Sequence, residues 1–340
     1  MDQITSNNHY VPQFYLKNWS DDGKSIWVYR KLVSNSKVPL WCQRAIKGTS
    51  KVEHLYTQGS ENSRDDSVEE WLNNEVETPV QNTYKKIRES EELNDEDYDR
   101  LVRFVSVQVF RTPAHYLKTV DTRGRIIQEV IDRYTSNFDE EKFIRRVKRN
   151  RYRSVKEQDI FKMPIKTEII EKNEDENLLR IDAYYGREAW LSEIRYAYNK
   201  YYNVLRKLKW SIIETNELSM PTSDDPVIRY NKTNSSVYQG GISQTGTHII
   251  FPLTPHRVLY AIVGNRSLPR RFVLNKEESF VIYKMILDHG FLEVYSINWL
   301  RHMRENCPRT ENLKDYERIY AMLENWDRHN LNMEAEYRDV

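Results

Sequence analysis

Apolar and polar positions along the chain change their period three times. Residues 1–66 carry short β-type runs separated by turn signals. Ser25-Ile26-Trp27-Val28-Tyr29-Arg30 is rich in β-formers and follows the turn Asp21-Asp22-Gly23. Trp41 and Glu53-His54-Leu55-Tyr56 predict further strands. From Ser67 the period becomes helical, with Val68, Trp71, Leu72 and Val76 on one stripe and acids in the first turn. That helix extends through Tyr84 and Ile87, with Pro79 predicting a bend or break. The acidic run Glu89–Asp97 reads as a solvated loop feeding a helix N-terminus, where acids are favoured. Leu101, Phe104, Val105 and Val109 predict an apolar helix ending near Arg111-Thr112-Pro113, and a second helix follows over about 114–135. The stretch 182–208, with Tyr184, Trp190, Ile194, Tyr198, Tyr201 and Leu205, predicts the longest clear helix, its aromatic stripe facing a core.

After Lys209 the pattern returns to β. Strands are expected at 210–214, 226–230, 247–253, 258–263 and 292–296. A helix is expected at about 275–288, with Asn275 as N-cap and Glu277 and Glu278 in its first turn. The tail 311–340 reads as charged and helical. The order strands, helices, strands predicts an α+β fold rather than alternating α/β. It divides into an N-terminal β-rich segment (1–66), a helical region (67–208), a mostly antiparallel β-rich region (209–310) packed with the helices, and the helical tail, all in one compact body.

Composition sharpens this picture. Among 340 residues, Lys+Arg (52) and Asp+Glu (51) nearly cancel, so neither a polycation nor an acidic tail is at hand. Aromatics reach 12%, enough apolar area for a sizeable core and too much for a disordered chain. Ten glycines, with no G-x-G-x-x-G and no G-x-x-x-x-G-K-[ST], disfavour a Rossmann or P-loop nucleotide site. Cys42 and Cys307 are far apart and outside any C-x-x-C, which predicts inert thiols. The start Met1–Asn8 has no basic or apolar run, and no stretch of ~18 apolar residues occurs. A cytoplasmic protein without membrane contact is expected.

Charge balance makes any basic patch local. Residues 142–153 read KFIRRVKRNRYR, seven basic residues in twelve. Arg145, Arg146, Lys148, Arg149 and Arg151 could contact a phosphate backbone through counterion release, with Tyr152 stacking on a base. A solvated surface helix accounts for the same pattern.

Three segments could carry chemistry. His9-Tyr10-Val11-Pro12-Gln13-Phe14-Tyr15-Leu16 places an imidazole beside a backbone preset by Pro12, suited to a general base or to a single core hydrogen bond. Pro221-Thr222-Ser223-Asp224-Asp225-Pro226 sets two carboxylates in a turn between strands. Paired acids attract hard cations such as Mg²⁺ or Mn²⁺, while Ser and Asp before proline also initiate turns. In Gln108-Val109-Phe110-Arg111-Thr112-Pro113, Gln108 and Arg111 share a helix face. Arg111 could clamp a phosphate bidentately or pair internally with Glu75 or Asp224. The eight histidines form no H-x-H, H-x-x-x-H or H-E-x-x-H, and no G-x-S-x-G occurs.

These segments, with Pro252–Pro255, carry a resemblance. The chain resembles a bacterial family catalogued as a domain of unknown function, whose members open with His-Tyr-Val-Pro-x-Phe-Tyr-Leu. They are also similar at a Gln-x-x-Arg-Thr-Pro helix end, a Ser-Asp-x-Pro turn and a Pro-Leu-x-Pro stretch. The likeness spans roughly residues 8–300. It implies that His9, Gln13, Gln108, Arg111, Ser223 and Asp224 converge in space, with Glu75 a less certain member.

Two functions follow as expectations. In the first, the chain is a metal-dependent hydrolase of nucleic acid or a nucleotide, suited to a bacterial toxin or phage-defence effector. Asp224, Asp225 and Glu75 hold the metal, His9 is the general acid or base, and Arg111 grips a phosphate. Gln13, Gln108, Ser223 and the basic residues of 142–153 bind substrate. In the second, the motif residues form a buried polar network and the chain is a non-catalytic binding module for protein or RNA.

Overall fold

The computed structural model describes residues 6–60, 63–135, 165–173, 176–233, 240–264, 268–299 and 303–336. Short strands open the chain, helices fill its middle and a mixed sheet follows. The architecture is α+β. Five strands form the larger sheet, in the order Ile228–Tyr230, His248–Thr254, Arg257–Ile262, Trp210–Glu214, Arg271–Val273. All neighbours pair antiparallel except the last, which runs parallel to Trp210–Glu214. A second sheet joins two strands from each of the two β-rich regions. Thr222–Ser223 and Glu293–Ser296 lie beside Ser25–Arg30 and Trp41–Ala45. The N-terminal β-rich segment therefore shares a sheet with the C-terminal one.

The apolar runs of the larger sheet reflect burial on both faces, which removes the alternation of a half-wet strand. Ile212, Ile249 and Leu259 face the main core beneath the helices, where Tyr15, Trp19, Tyr84, Phe104 and Phe251 cluster. Their neighbours Ile213, Ile250 and Val258 face a second core, closed by Ile282, Tyr283 and Ile286. Those three belong to the helix Lys276–His289, which starts with a capping box between Asn275 and Glu278.

The helical middle departs from an α extrapolation at two places. One is Ala197–Tyr201, a π segment between the helices Arg187–Tyr196 and Tyr202–Leu205. At the other, Ser67–Trp71 runs into a π segment, Leu72–Glu77, before Thr78–Arg88 resumes. Pro79 has no N–H to donate, and it stands just after that π segment, where the hydrogen-bond ladder changes its step. The chain thus passes Pro79 without breaking. The acidic run is also not wholly solvated. Asn94 and Asp97 form a capping box, and the Asp97 carboxylate is buried against Lys86 (2.7 Å) and Thr83 (3.0 Å). The helix expected from residue 182 starts at Arg187, because 176–183 is a strand and Gly186 is the N-cap. The strand expected at 53–56 is displaced to Lys51–Glu53. His54, at φ +50°, turns the chain out of extended conformation.

The tail forms Leu313–Glu324 and Trp326–Glu336. It docks through Arg187, which is 1% exposed and meets Asp327 (2.8 Å) and Glu334 (2.9 Å). Cys42 and Cys307 are free. Among the described residues no helix is long and apolar enough to cross a membrane.

Candidate functional site

The four motif segments meet, and backbone groups are the main acceptors. Gln108 closes the helix Asp95–Gln108 and donates Nε2–H to the Tyr10 carbonyl at 2.8 Å. Three residues on, Arg111 is wholly buried. Its Nη1 meets Glu77 Oε1 at 2.7 Å, its Nη2 donates to the His9 carbonyl at 2.7 Å, and its Nε donates to the Tyr56 hydroxyl at 3.3 Å. Tyr56 returns its proton to the Arg111 carbonyl at 3.0 Å. Thr112 then donates to Asp225 Oδ1 at 3.2 Å. Tyr15, from the opening motif, donates to the Pro252 carbonyl at 2.8 Å and lies 2.6 Å from Thr222 Oγ1. Since its single proton goes to Pro252, Thr222 is the donor to Tyr15. Opening motif, helix end, acidic turn and Pro-Leu-x-Pro stretch thus form one closed circuit. Tyr15→Phe should cost about 1–3 kcal/mol, because it strips a partner from both Thr222 and the buried Pro252 carbonyl. Chemical denaturation of the two proteins measures this.

Asp224 and Asp225, although adjacent, are engaged separately. The Asp224 carboxylate accepts the Phe291 and Leu292 N–H groups at 2.8 and 2.7 Å. Burial pushes its pKa up to about 7 against those bonds, and Glu293 and Asp225 add repulsion. Asp225 meets Lys118 Nζ at 2.9 Å and His289 Nε2 at 3.2 Å. Burial opposes its charge, but Lys118 and His289 together hold it well below the usual carboxylate range. Burial in turn lowers the His289 pKa, so the imidazole is neutral near pH 7. Ser223 is buried and its hydroxyl accepts the Asp225 N–H at 3.3 Å.

Several expected roles do not match this arrangement. Arg111 pairs with Glu77 and not with Glu75 or Asp224; residues two apart on a helix do not share a face, so Glu75 points elsewhere. Glu75 instead accepts the Tyr198 hydroxyl at 3.3 Å. Asp224, Asp225 and Glu75 do not share a metal-ligand set. Among the described residues no group of three or more His, Cys, Asp or Glu side chains could hold a metal ion. Gln13 is exposed at the start of the helix Gln13–Leu16 and is separate from the buried circuit. His9 is half-buried, and burial is the main cause of its lowered pKa. Its Nε2 has no hydrogen-bond partner. Arg145, Arg146, Lys148, Arg149 and Arg151 lie outside the described residues.

Sequence reasoning missed Tyr56, Glu69, Glu77, Lys118 and His289. Glu69 lies in the field of Arg111 and Glu77, and burial pushes its pKa up to about 7. Only the tertiary fold brings these groups in, since none stands at a ligand or catalytic spacing.

The fold is α+β, and dispersed motif segments meet in it through buried hydrogen bonds. The chain belongs to the family described as "Protein of unknown function (DUF4238)", whose model matches residues 7–300. No curated protein and no solved structure matches it.

Proposed function

We propose that the chain is a non-catalytic binding module for nucleic acid, in which the motif residues are the structural brace. The burial of Arg111 carries this reading. A guanidinium with no exposed surface, and with Nε, Nη1 and Nη2 each bonded inside the protein, is out of reach of a phosphate in solution. The brace gives a rigid frame, and the basic run 142–153 supplies the phosphate contacts by composition. Anisotropy titration of a ~20-nucleotide single-stranded RNA tests it, with log K falling by ~0.7 per log unit of salt for each phosphate neutralised. Replacing Arg145, Arg146, Lys148, Arg149 and Arg151 together with alanine should weaken binding at least ~100-fold at low salt and flatten that slope. An unchanged Kd in that variant defeats the proposal. A protein partner is then the occupant to seek.

One observation favours the second reading, a hydrolase of nucleic acid or a nucleotide. The anionic Asp225 beside a neutral His289 is the pairing that orients a general base. A Mg²⁺ or Mn²⁺ form of that reading requires Asp224 or Asp225 to give up its present partners. Nuclease activity lost in His289→Gln, at unchanged melting temperature, supports the hydrolase over the brace.

A further inference from the structure

The helical stretch from Arg187 to Leu205 has two unlike faces. Ala197, Tyr201, Tyr202 and Leu205 are buried in the main core. Arg195, Lys200, Arg206, Lys207 and Lys209 are exposed, on the outer side and in the turn that follows. No Asp or Glu stands between Arg195 and Ile213, so these cations meet no acid along their own segment. Residues four apart on a helix are neighbours, and exposure repeats with that spacing through the π segment Ala197–Tyr201. Arg195, Asn199, Asn203 and Lys207 form one row, all exposed and all able to donate. Tyr196, Lys200 and Val204 form the row beside it, with Tyr196 half-buried and Val204 41% exposed.

Other exposed helix faces of this chain are built differently. The helix Asp95–Gln108 pairs Glu96 with Arg100 and Asp99 with Arg103 at i,i+4, and the helix Lys276–His289 pairs Lys284 with Asp288. Such mixed-sign pairs are what a merely solvated face carries. None of the five cations from Arg195 to Lys209 makes an ion pair among the described residues. The helix dipole favours Arg206 and Lys207, which close the helix, but its reach of one turn leaves out Arg195 and Lys200. Arg206 is seated over the Tyr202 ring, 5.4 Å from its centroid. From Arg195 to Lys207 the face runs about 18 Å at ~1.5 Å per residue, longer than several steps of ~3.4 Å between phosphates of one strand. A row of unpaired cations beside an aromatic and apolar row matches the two halves of a single strand, phosphates on the first and base faces on the second.

We infer that this face is a docking surface for single-stranded RNA, with phosphates along Arg195, Lys200 and Lys207 and bases against Tyr196 and Val204. The inference rests on the nucleic-acid reading and adds to it a surface separate from residues 142–153. Anisotropy titration of the whole chain with a ~20-nucleotide single-stranded RNA tests it across a range of salt. Arg195→Ala/Lys200→Ala/Lys207→Ala should weaken binding at least ~10-fold at low salt and lower the slope of log K against log salt by about 2, ~0.7 for each of three phosphate contacts. All three side chains are exposed, so the melting temperature should stay that of the wild type. Tyr196→Leu keeps apolar bulk and should weaken binding ~5-fold at an unchanged slope, since stacking releases no counterions. A triple variant that binds like the wild type, beside a weakened alanine variant of 142–153, overturns this surface and leaves the nucleic-acid reading standing. A weakened triple variant beside an unchanged 142–153 variant supports this surface and removes 142–153 from the contact. No RNA binding by the wild type ends both. Binding to phosphatidylserine vesicles with none to RNA also overturns the inference.

Discussion

Arg111→Met should lose about 3–5 kcal/mol of folding stability, the largest loss expected from any single side chain of the motifs. The substitution leaves Glu77 with its charge and no partner, and it strips the His9 carbonyl and the Tyr56 hydroxyl of a donor. The removed contacts join three stretches far apart in sequence, so local repacking cannot restore them. Arg111→Lys should recover little. An ammonium is a single point of charge and cannot reach Glu77, His9 and Tyr56 along the planar fork. The pair Arg111→Met/Glu77→Met removes the stranded charge and should recover about 1–3 kcal/mol over Arg111→Met alone. Urea unfolding of the four proteins reads this out. A wild-type midpoint for Arg111→Met means that the circuit does not hold the fold, and Arg111 then returns as a candidate ligand group.

Much of the architecture was legible because local signals and tertiary demands agree. Asn275 followed by Glu278 announces a helix start, and the capping box is there. The β-rich runs at 210–214 and 247–253 announce strands, and the strands are there, covered on their two faces by two cores. The meeting of the opening motif with the helix end runs through Gln108, Arg111 and the carbonyls of His9 and Tyr10, while Gln13, the His9 Nε2 and the Asp224 carboxylate take no part in those bonds. What the motifs could not say is which groups face which. Glu75 and Glu77 are two positions apart on one helical stretch and so face different sides, and the residue string does not say which side meets Arg111. His289 and Lys118 reach Asp225 from helices 64 and 107 residues away in sequence. Their involvement comes from packing alone. Nor does a motif reveal whether its polar atoms are open or sealed. Here Arg111 and Asp224 are both sealed, which is the observation behind the proposed brace.

The acidic turn should give the chain an unusual pH profile, with stability falling between pH 5 and pH 8. Asp224 has its folded pKa raised to about 7, above the ~3.9 of an unfolded chain. The folded state therefore holds the proton more tightly. The contribution is fully present below ~3.9 and is lost as the pH rises through 7, about 2–3 kcal/mol between pH 5 and 8. Glu69, also raised to about 7, changes stability with the same sign. Asp225 has the opposite sign. Its lowered pKa supplies stability above ~3.9 that is lost as the pH falls below that value, so it shapes only the acid limb. His289, lowered from its ordinary value, adds stability above ~6.5 that is lost as the pH falls through its folded pKa, and it partly offsets Asp224. Asp224→Asn separates these contributions. Asparagine offers one acceptor oxygen to the two N–H groups of Phe291 and Leu292, so the variant should be less stable by about 1–3 kcal/mol at pH 5. It carries no titrating group, so the gap to wild type should narrow towards pH 8, where the wild type carries a buried charge. Urea midpoints across that range measure the gap. A gap that widens instead places the Asp224 charge among the stabilising elements, with its two backbone donors outweighing burial.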